Sequence, residues 1–152
     1  MSILTILTFP DPLLRQKAKP VTQFDTALAD TLNNMVETMR ASNGVGLAAT
    51  QVGIMSRLFV LEFKKYRLKM VNPEIIKISG PEHTLEEACL SLPNVARMVT
   101  RPNTVLVSYQ SEDGTPHKEV FKGFTARIIQ HELDHLDGIL IIDRSDVEPP
   151  ND

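Results

Sequence analysis

Apolar positions along the chain change their spacing twice, and those changes mark the elements. From Phe24 the spacing is helical: Leu28, Leu32, Met35 and Met39 recur at intervals of 4, 3 and 4. That places them on one face of a 3.6-residue helix, the face expected to meet the core. Asp25 precedes the stripe as an N-cap, because its carboxylate can accept from the free N–H groups of the first turn. Ser42-Asn43-Gly44 stops it, since asparagine and glycine tolerate left-handed backbone.

The middle of the chain reads as strand. Arg57–Phe63, Leu68–Ile78, Val95–Arg101 and Asn103–Gln110 are rich in Val, Ile, Leu and aromatic residues, although their alternation is uneven. Glu112-Asp113-Gly114-Thr115 carries a hairpin-turn signature, with a returning strand near Lys118–Lys122. Thr125 is the expected N-cap of a last helix that reaches about Asp137 and ends at Gly138. Strands gathered in the middle with helices at both ends predict an α+β fold, a mostly antiparallel sheet packed on helices. One domain over residues 1–147 is expected. Residues 148–152 (Glu-Pro-Pro-Asn-Asp) offer no apolar anchor and are expected to be a mobile tail.

Composition narrows the functions open to this fold. The 152 residues suffice to bury a core without disulfide or metal staples. Lys and Arg are scattered and the formal net charge is −3, so the basic stripe of a nucleic-acid binder is missing. No apolar run approaches the roughly 18–20 residues that would span a bilayer. Met1–Pro10 lacks both a basic region and a small-residue cleavage site, which argues against a signal or transit peptide. Cys89 is the only cysteine. An intramolecular disulfide is therefore excluded, and a cytoplasmic monomer in a reducing compartment is the expectation.

The strongest chemical signal is His131-Glu132-Leu133-Asp134-His135 on the last helix. Residues four apart share a helix face, so both imidazoles can address one metal ion. Glu132 lies about 100° from His131 and about 60° from His135 around the helix, within reach of a metal-bound water. Ile129, Leu133 and Leu136 form a neighbouring apolar stripe. Ile128, one turn before His131 on the metal side, is a candidate wall for an apolar substrate pocket.

Catalytic metals usually take three protein ligands and keep a position open. The common zinc-protease patterns find their third ligand downstream. Here Gly138 fits one such pattern but Ile141 stands at the ligand position, and only 17 residues follow His135. The third ligand must come from upstream, where His83, His117 and Cys89 are the candidates, with carboxylates as weaker options.

Two further segments bear on that choice: Gly44-Val45-Gly46-Leu47-Ala48-Ala49-Thr50-Gln51 and Glu87-Ala88-Cys89-Leu90-Ser91. With His131–His135 they make three motifs in an order that resembles the peptide deformylases. The resemblance runs from Gly44 to about Asp143. It implies that Cys89, His131 and His135 are metal ligands and that Glu132 is the general acid–base. It further implies oxyanion donors at the Gln51 amide and the Leu90 N–H, and a cleft lined by Gly44, Val45 and Gly46. One divalent ion is implied, Fe²⁺ in the cell, with Zn²⁺, Ni²⁺ or Co²⁺ able to substitute. The implied substrates are N-formyl-methionyl peptides and nascent chains. Proximity to the ribosome is implied too, although the chain stops soon after Asp143 where many relatives carry a longer C-terminal helix.

Ala88 departs from the family glycine. If that position needs positive φ, alanine is strained there and misplaces Cys89 and Leu90. If it only leaves room beside the substrate, one methyl group is a small addition. Glu87–Ser91 has no turn signal and is expected to run extended, which favours the second reading. A deformylase-like protein with lost or altered activity, a metallopeptidase and a non-enzymatic binding domain stay open as alternatives. His83 and His117 lie outside the motifs and are expected at the surface. Asp134 either orients a ligand or faces solvent.

Overall fold

The computed structural model describes residues 2–150. Helix α1 spans Thr26–Ala41, and the Asp25 side chain accepts from the Leu28 N–H at 3.0 Å, as the sequence predicts. Its buried residues are Leu28, Leu32, Met35, Thr38 and Met39. Asn43 takes the left-handed turn after the helix, with φ 57°, and the Gly44 N–H returns to the Met39 carbonyl.

Five strands follow: β1 (Gly46–Ala48), β2 (Leu58–Phe63), β3 (Tyr66–Cys89), β4 (Leu92–Gln110) and β5 (Pro116–Lys122). They form one sheet in the order β1-β2-β3-β4-β5, every pair antiparallel. Helix α2 (Gly123–Leu136) and the short α3 (Ile141–Arg144) complete the chain. The α+β architecture expected from the sequence is therefore present.

The core explains the uneven alternation of the strands. Leu58 and Val60 of β2 join Leu32, Met35 and Met39 of α1 in one apolar cluster. Phe59 and Leu61 of the same strand face the other way, into a cluster with Phe121, Ile129, Leu133 and Leu136. With helices on both faces, β2 has no solvent side and reads as a continuous apolar run. Burying a side chain of this size contributes roughly 1.5–3 kcal/mol, so these two layers fix where α2 lies relative to β1.

Four expectations are corrected. The separate strands at Val95–Arg101 and Asn103–Gln110 are one strand, β4, and the strand expected at Leu68–Ile78 runs on to Cys89. Register shifts at Val71/Glu74, Ile75/Lys77, Ser79/Glu82 and Ala88/Cys89 break the period of two while pairing continues. Helix α2 starts at Gly123, not at Thr125. Gly123, at φ 63°, lets β5 turn directly into the helix, and Thr125 is buried inside the first turn instead of capping it. Finally, Glu87–Ser91 is extended only as far as Cys89. Leu90 and Ser91 form the turn between β3 and β4.

The end of α2 is as expected. Gly138 sits at φ 74°, its N–H reaches the His135 carbonyl, and the Ile139 N–H reaches that of Asp134. This is a Schellman ending. A Cβ at Gly138 would also lie 2.4 Å from the Arg15 carbonyl oxygen, so no other residue fits. Residues 148–150 of the expected tail have no regular structure, and residues 151 and 152 lie outside the described residues.

Candidate metal centre

The two ends of the chemistry arrive on different elements. Cys89 is the last residue of β3, and His131 and His135 lie on α2 one turn apart. Their ligand atoms all fall within 4.8 Å of one another, with Cys89 Sγ 3.1 Å from His135 Nε2. The imidazole rings of His131 and His135 stand 5.0 Å apart, edge to face. In a tetrahedral site with metal–sulfur and metal–nitrogen bonds near 2.3 and 2.0 Å, neighbouring donors lie roughly 3.3–3.6 Å apart. One thiol and two imidazoles at these separations fit a single divalent ion. The exposed His83 and His117 take no part in this group.

Glu87 holds His131 in place. Its Oε1 lies 3.0 Å from His131 Nδ1, which leaves Nε2 to face Cys89 and His135. Two arginines hold Glu87 in turn: Arg101 donates from Nε and Nη2 at 2.7 and 2.9 Å, and Arg127 from Nη1 at 2.5 Å. All three residues are buried. Burial alone would raise the Glu87 carboxyl, but the hydrogen bonds from His131 and Arg101 hold it well below the usual carboxylate range. Burial likewise pushes His131 down, and its hydrogen bonds to Cys89 and Glu87, with the charge of Glu132, lift it to about 10. The centre thus favours positive charge beside His131, which a bound cation satisfies as well as a proton. His135 is driven well below its ordinary value by burial and by the neighbouring charge of His131.

Glu132 is 4% exposed, and its Oε1 is buried with no hydrogen-bond partner among the described residues. Burial first, and then the repulsion of Glu87, raise its carboxyl to about 7 against the pull of His131. A carboxylate balanced near neutrality suits a group that must both take and return a proton. Gln51 is fixed by the Ala48 N–H, which donates to its Oε1 at 2.9 Å. Its Nε2 points at Ser91 Oγ at 3.2 Å and at Cys89 Sγ at 3.5 Å. The bond to sulfur is long and weak, so that N–H is the one available to another acceptor.

These groups lie along a cavity of about 340 Å³ lined by Gly44, Val45, Gly46, Ala88, Leu90, Phe124 and Ile128 beside the centre. The two glycines that line the cavity also leave room for neighbouring side chains. A Cβ on Gly46 would meet Glu132 Oε2 at 2.6 Å and Ile128 Cγ2 at 3.0 Å, so the missing side chain makes room for Glu132. A Cβ on Gly44 would meet Leu90 Cδ1 at 3.0 Å. Asn43, just before them, takes the left-handed turn. Ala88 has no positive φ and lines the cavity, so its methyl group is not strained.

Sequence reasoning missed several residues of the site. Phe124 packs on Phe63 with ring centroids 4.9 Å apart and is 43% exposed at the cavity mouth. Phe124 and Arg127 precede Ile128 and His131 by one helical turn, a spacing that would have pointed to both. Asp134 neither touches a ligand nor faces solvent. It is buried and accepts from Arg101 Nη1 at 3.0 Å and from Arg144.

The model of the polypeptide deformylase family matches residues 3–150. The chain belongs to that family. A peptide deformylase of Thermotoga petrophila is 47% identical over 139 residues, which cover 91% of this chain and 85% of that protein. The crystal structure of the peptide deformylase from Thermotoga maritima superposes with a TM-score of 0.93 at 44% identity, covering 98% of this chain and all of that one. A Met-Ala-Ser-bound peptide deformylase from Acinetobacter baumannii gives a TM-score of 0.91 at 36% identity, covering 95% of this chain and 99% of that one. Among the described residues no helix is long and apolar enough to cross a membrane.

Proposed function

We propose that this chain is a metal-dependent peptide deformylase that hydrolyses the N-formyl group of formyl-methionyl polypeptides, releasing formate. The observation that carries this reading is the meeting of Cys89, His131 and His135 at the wall of a cavity, with the buried Glu132 carboxylate beside them. Family membership supplies the reaction class, and the tripeptide in the Acinetobacter enzyme has the form of a deformylated product.

Cys89, His131 and His135 would hold one divalent ion, which when bound brings the pKa of a coordinated water from about 15.7 to near 7. Glu132 takes the proton from the attacking water and passes it to the amine nitrogen as the C–N bond breaks. The Gln51 N–H now shared with sulfur and the Leu90 N–H donate to the carbonyl oxygen as it gains charge. No covalent bond forms between Cys89 and the substrate, so Cys89 serves as a ligand and not as a nucleophile. The thiolate suits a soft first-row ion, and Fe²⁺ is the ion we assign, with Zn²⁺, Ni²⁺ or Co²⁺ able to replace it.

Ile128 and Phe124 form the apolar wall for the methionine side chain. An extended peptide lies along Gly44–Gly46, where the chain enters β1, on the side of that strand not paired with β2. We assign the enzyme to the cytoplasm, acting as a monomer on nascent chains near the ribosome. The test is formate release from a formyl-Met peptide by Fe²⁺-loaded protein purified without oxygen. Cleavage of unblocked peptides without formate release would instead favour a metallopeptidase, and no turnover would remove the reading.

A further inference from the structure

We propose that Arg144, on α3, is a positioning residue for the metal centre and acts through Asp134, Arg101 and Glu87 on the imidazole of His131. The inference rests on the metal assignment above and extends it to a segment outside all three motifs. Its basis is a continuous row of alternating charges: Arg127, Glu87, Arg101, Asp134 and Arg144. Arg144 donates from Nε to Asp134 Oδ2 at 3.0 Å and from Nη2 to Oδ1 at 2.6 Å, a two-pronged bond that fixes the carboxylate plane. Asp134 Oδ2 also accepts from Arg101 Nη1 at 3.0 Å. The remaining donors of Arg101 grip Glu87, which alone orients His131 through Nδ1.

The direction of the coupling follows from what Arg101 must satisfy. Its side chain is 5% exposed and lies between two carboxylates, one on each edge of the guanidinium. Arg144 is the second cation on Asp134. Without it, the charge of Asp134 falls on Arg101 alone and draws that guanidinium away from Glu87. A looser Glu87 frees the rotation of the His131 ring, and a ligand whose supporting bond is disturbed binds metal less tightly.

Arg144 is delivered by a well-anchored segment. Leu140 and Ile141 are buried, the Leu140 N–H is capped by Asp143, Asp143 pairs with Arg15, and the Val147 carbonyl accepts from the Met98 N–H of β4 at 2.8 Å. Arg15 therefore provides the control. Its ion pair anchors α3 but lies outside the row of charges that ends at His131.

The test measures Co²⁺ affinity by chelator competition, and the visible Co²⁺ spectrum, in wild type, Arg144→Ala, Arg144→Lys and Arg15→Ala, with Tm for each. Arg144→Ala is expected to weaken Co²⁺ binding by about 10-fold and to change the spectrum. Arg144→Lys, which keeps the charge without the fork, should fall between it and wild type. Arg15→Ala should lower Tm while keeping the wild-type affinity and spectrum. Unchanged Co²⁺ affinity in Arg144→Ala overturns the proposal, as does equal weakening in Arg15→Ala. If Arg144→Ala does not fold, a wild-type affinity in Arg144→Lys overturns it. A wild type that binds no Co²⁺ removes the metal assignment itself, and the inference with it.

Discussion

Replacing Gly46 by alanine adds one methyl group against Glu132 and Ile128. The new Cβ would stand 2.6 Å from Glu132 Oε2 and 3.0 Å from Ile128 Cγ2. Reaching ordinary contact at 3.4 Å requires the carboxylate to retreat by about 0.8 Å. Overpacking of this kind costs about 1–3 kcal/mol of stability. Its effect on catalysis is larger, because a misplacement near 1 Å can cost about 100-fold in rate. Gly46→Ala should therefore fold with a lowered Tm, retain metal through Cys89, His131 and His135, and lose about 30–100-fold in kcat. The assay is formate release at saturating formyl-Met peptide, with metal content measured on the same sample. A double-mutant cycle isolates the cause: in a Glu132→Ala background the added methyl group should cost less than about 3-fold, since its main obstacle is gone. Near-wild-type kcat in Gly46→Ala would refute the reasoning, and so would an undiminished loss in the double variant.

Other expectations follow from the same geometry. Cys89→Ala should abolish tight metal retention, because two imidazoles alone make a poor site, and full metal content in that variant would move the third ligand elsewhere. Ala88→Gly should change kcat/KM by less than about 10-fold, since Ala88 has no positive φ; a silent wild type rescued by glycine would mean the methyl group blocks the cleft. Glu87 is held below its ordinary value of 4.5 when folded, so its stabilisation is full above that pH and is lost as pH falls through the folded value. Urea midpoints should accordingly fall more steeply below pH 4.5 in wild type than in Glu87→Gln. The variant should also lose about 3–5 kcal/mol near neutrality, because the buried Arg127 loses its carboxylate partner and Arg101 keeps only Asp134. Parallel pH profiles for the two proteins would contradict this account of Glu87.

What could be read in the chain was local. Helix α1 announces itself because its cap, its apolar stripe and its stop lie within one continuous segment. The metal centre was legible because His131 and His135 share a helix face and the motif around Cys89 is a short run. The strands were harder. Residues from Glu74 to Glu86 of β3 lie mostly exposed, and bulges shift the register, so no period survives to mark the strand. The start of α2 was misplaced because Gly123 allows a direct strand-to-helix turn that needs no capping side chain. Least visible was the support of the site. Arg101 meets Glu87 across 14 positions and Asp134 across 33, and the room that Gly46 leaves for Glu132 spans the sheet and the helix. Such pairings arise from the packing of α2 against β1, β3 and β4, which no local pattern encodes.

The most direct test of the central claim compares wild type with Glu132→Gln, a substitution that keeps the shape and removes the base. Both are loaded anaerobically with Fe²⁺, assayed for formate release from one formyl-Met peptide, and analysed for metal in the same samples. The account predicts one ion per chain in both proteins, turnover in wild type, and at least a ~100-fold lower kcat in the variant. Wild-type turnover in Glu132→Gln would contradict it, as would formate release that persists in wild type after the metal is removed.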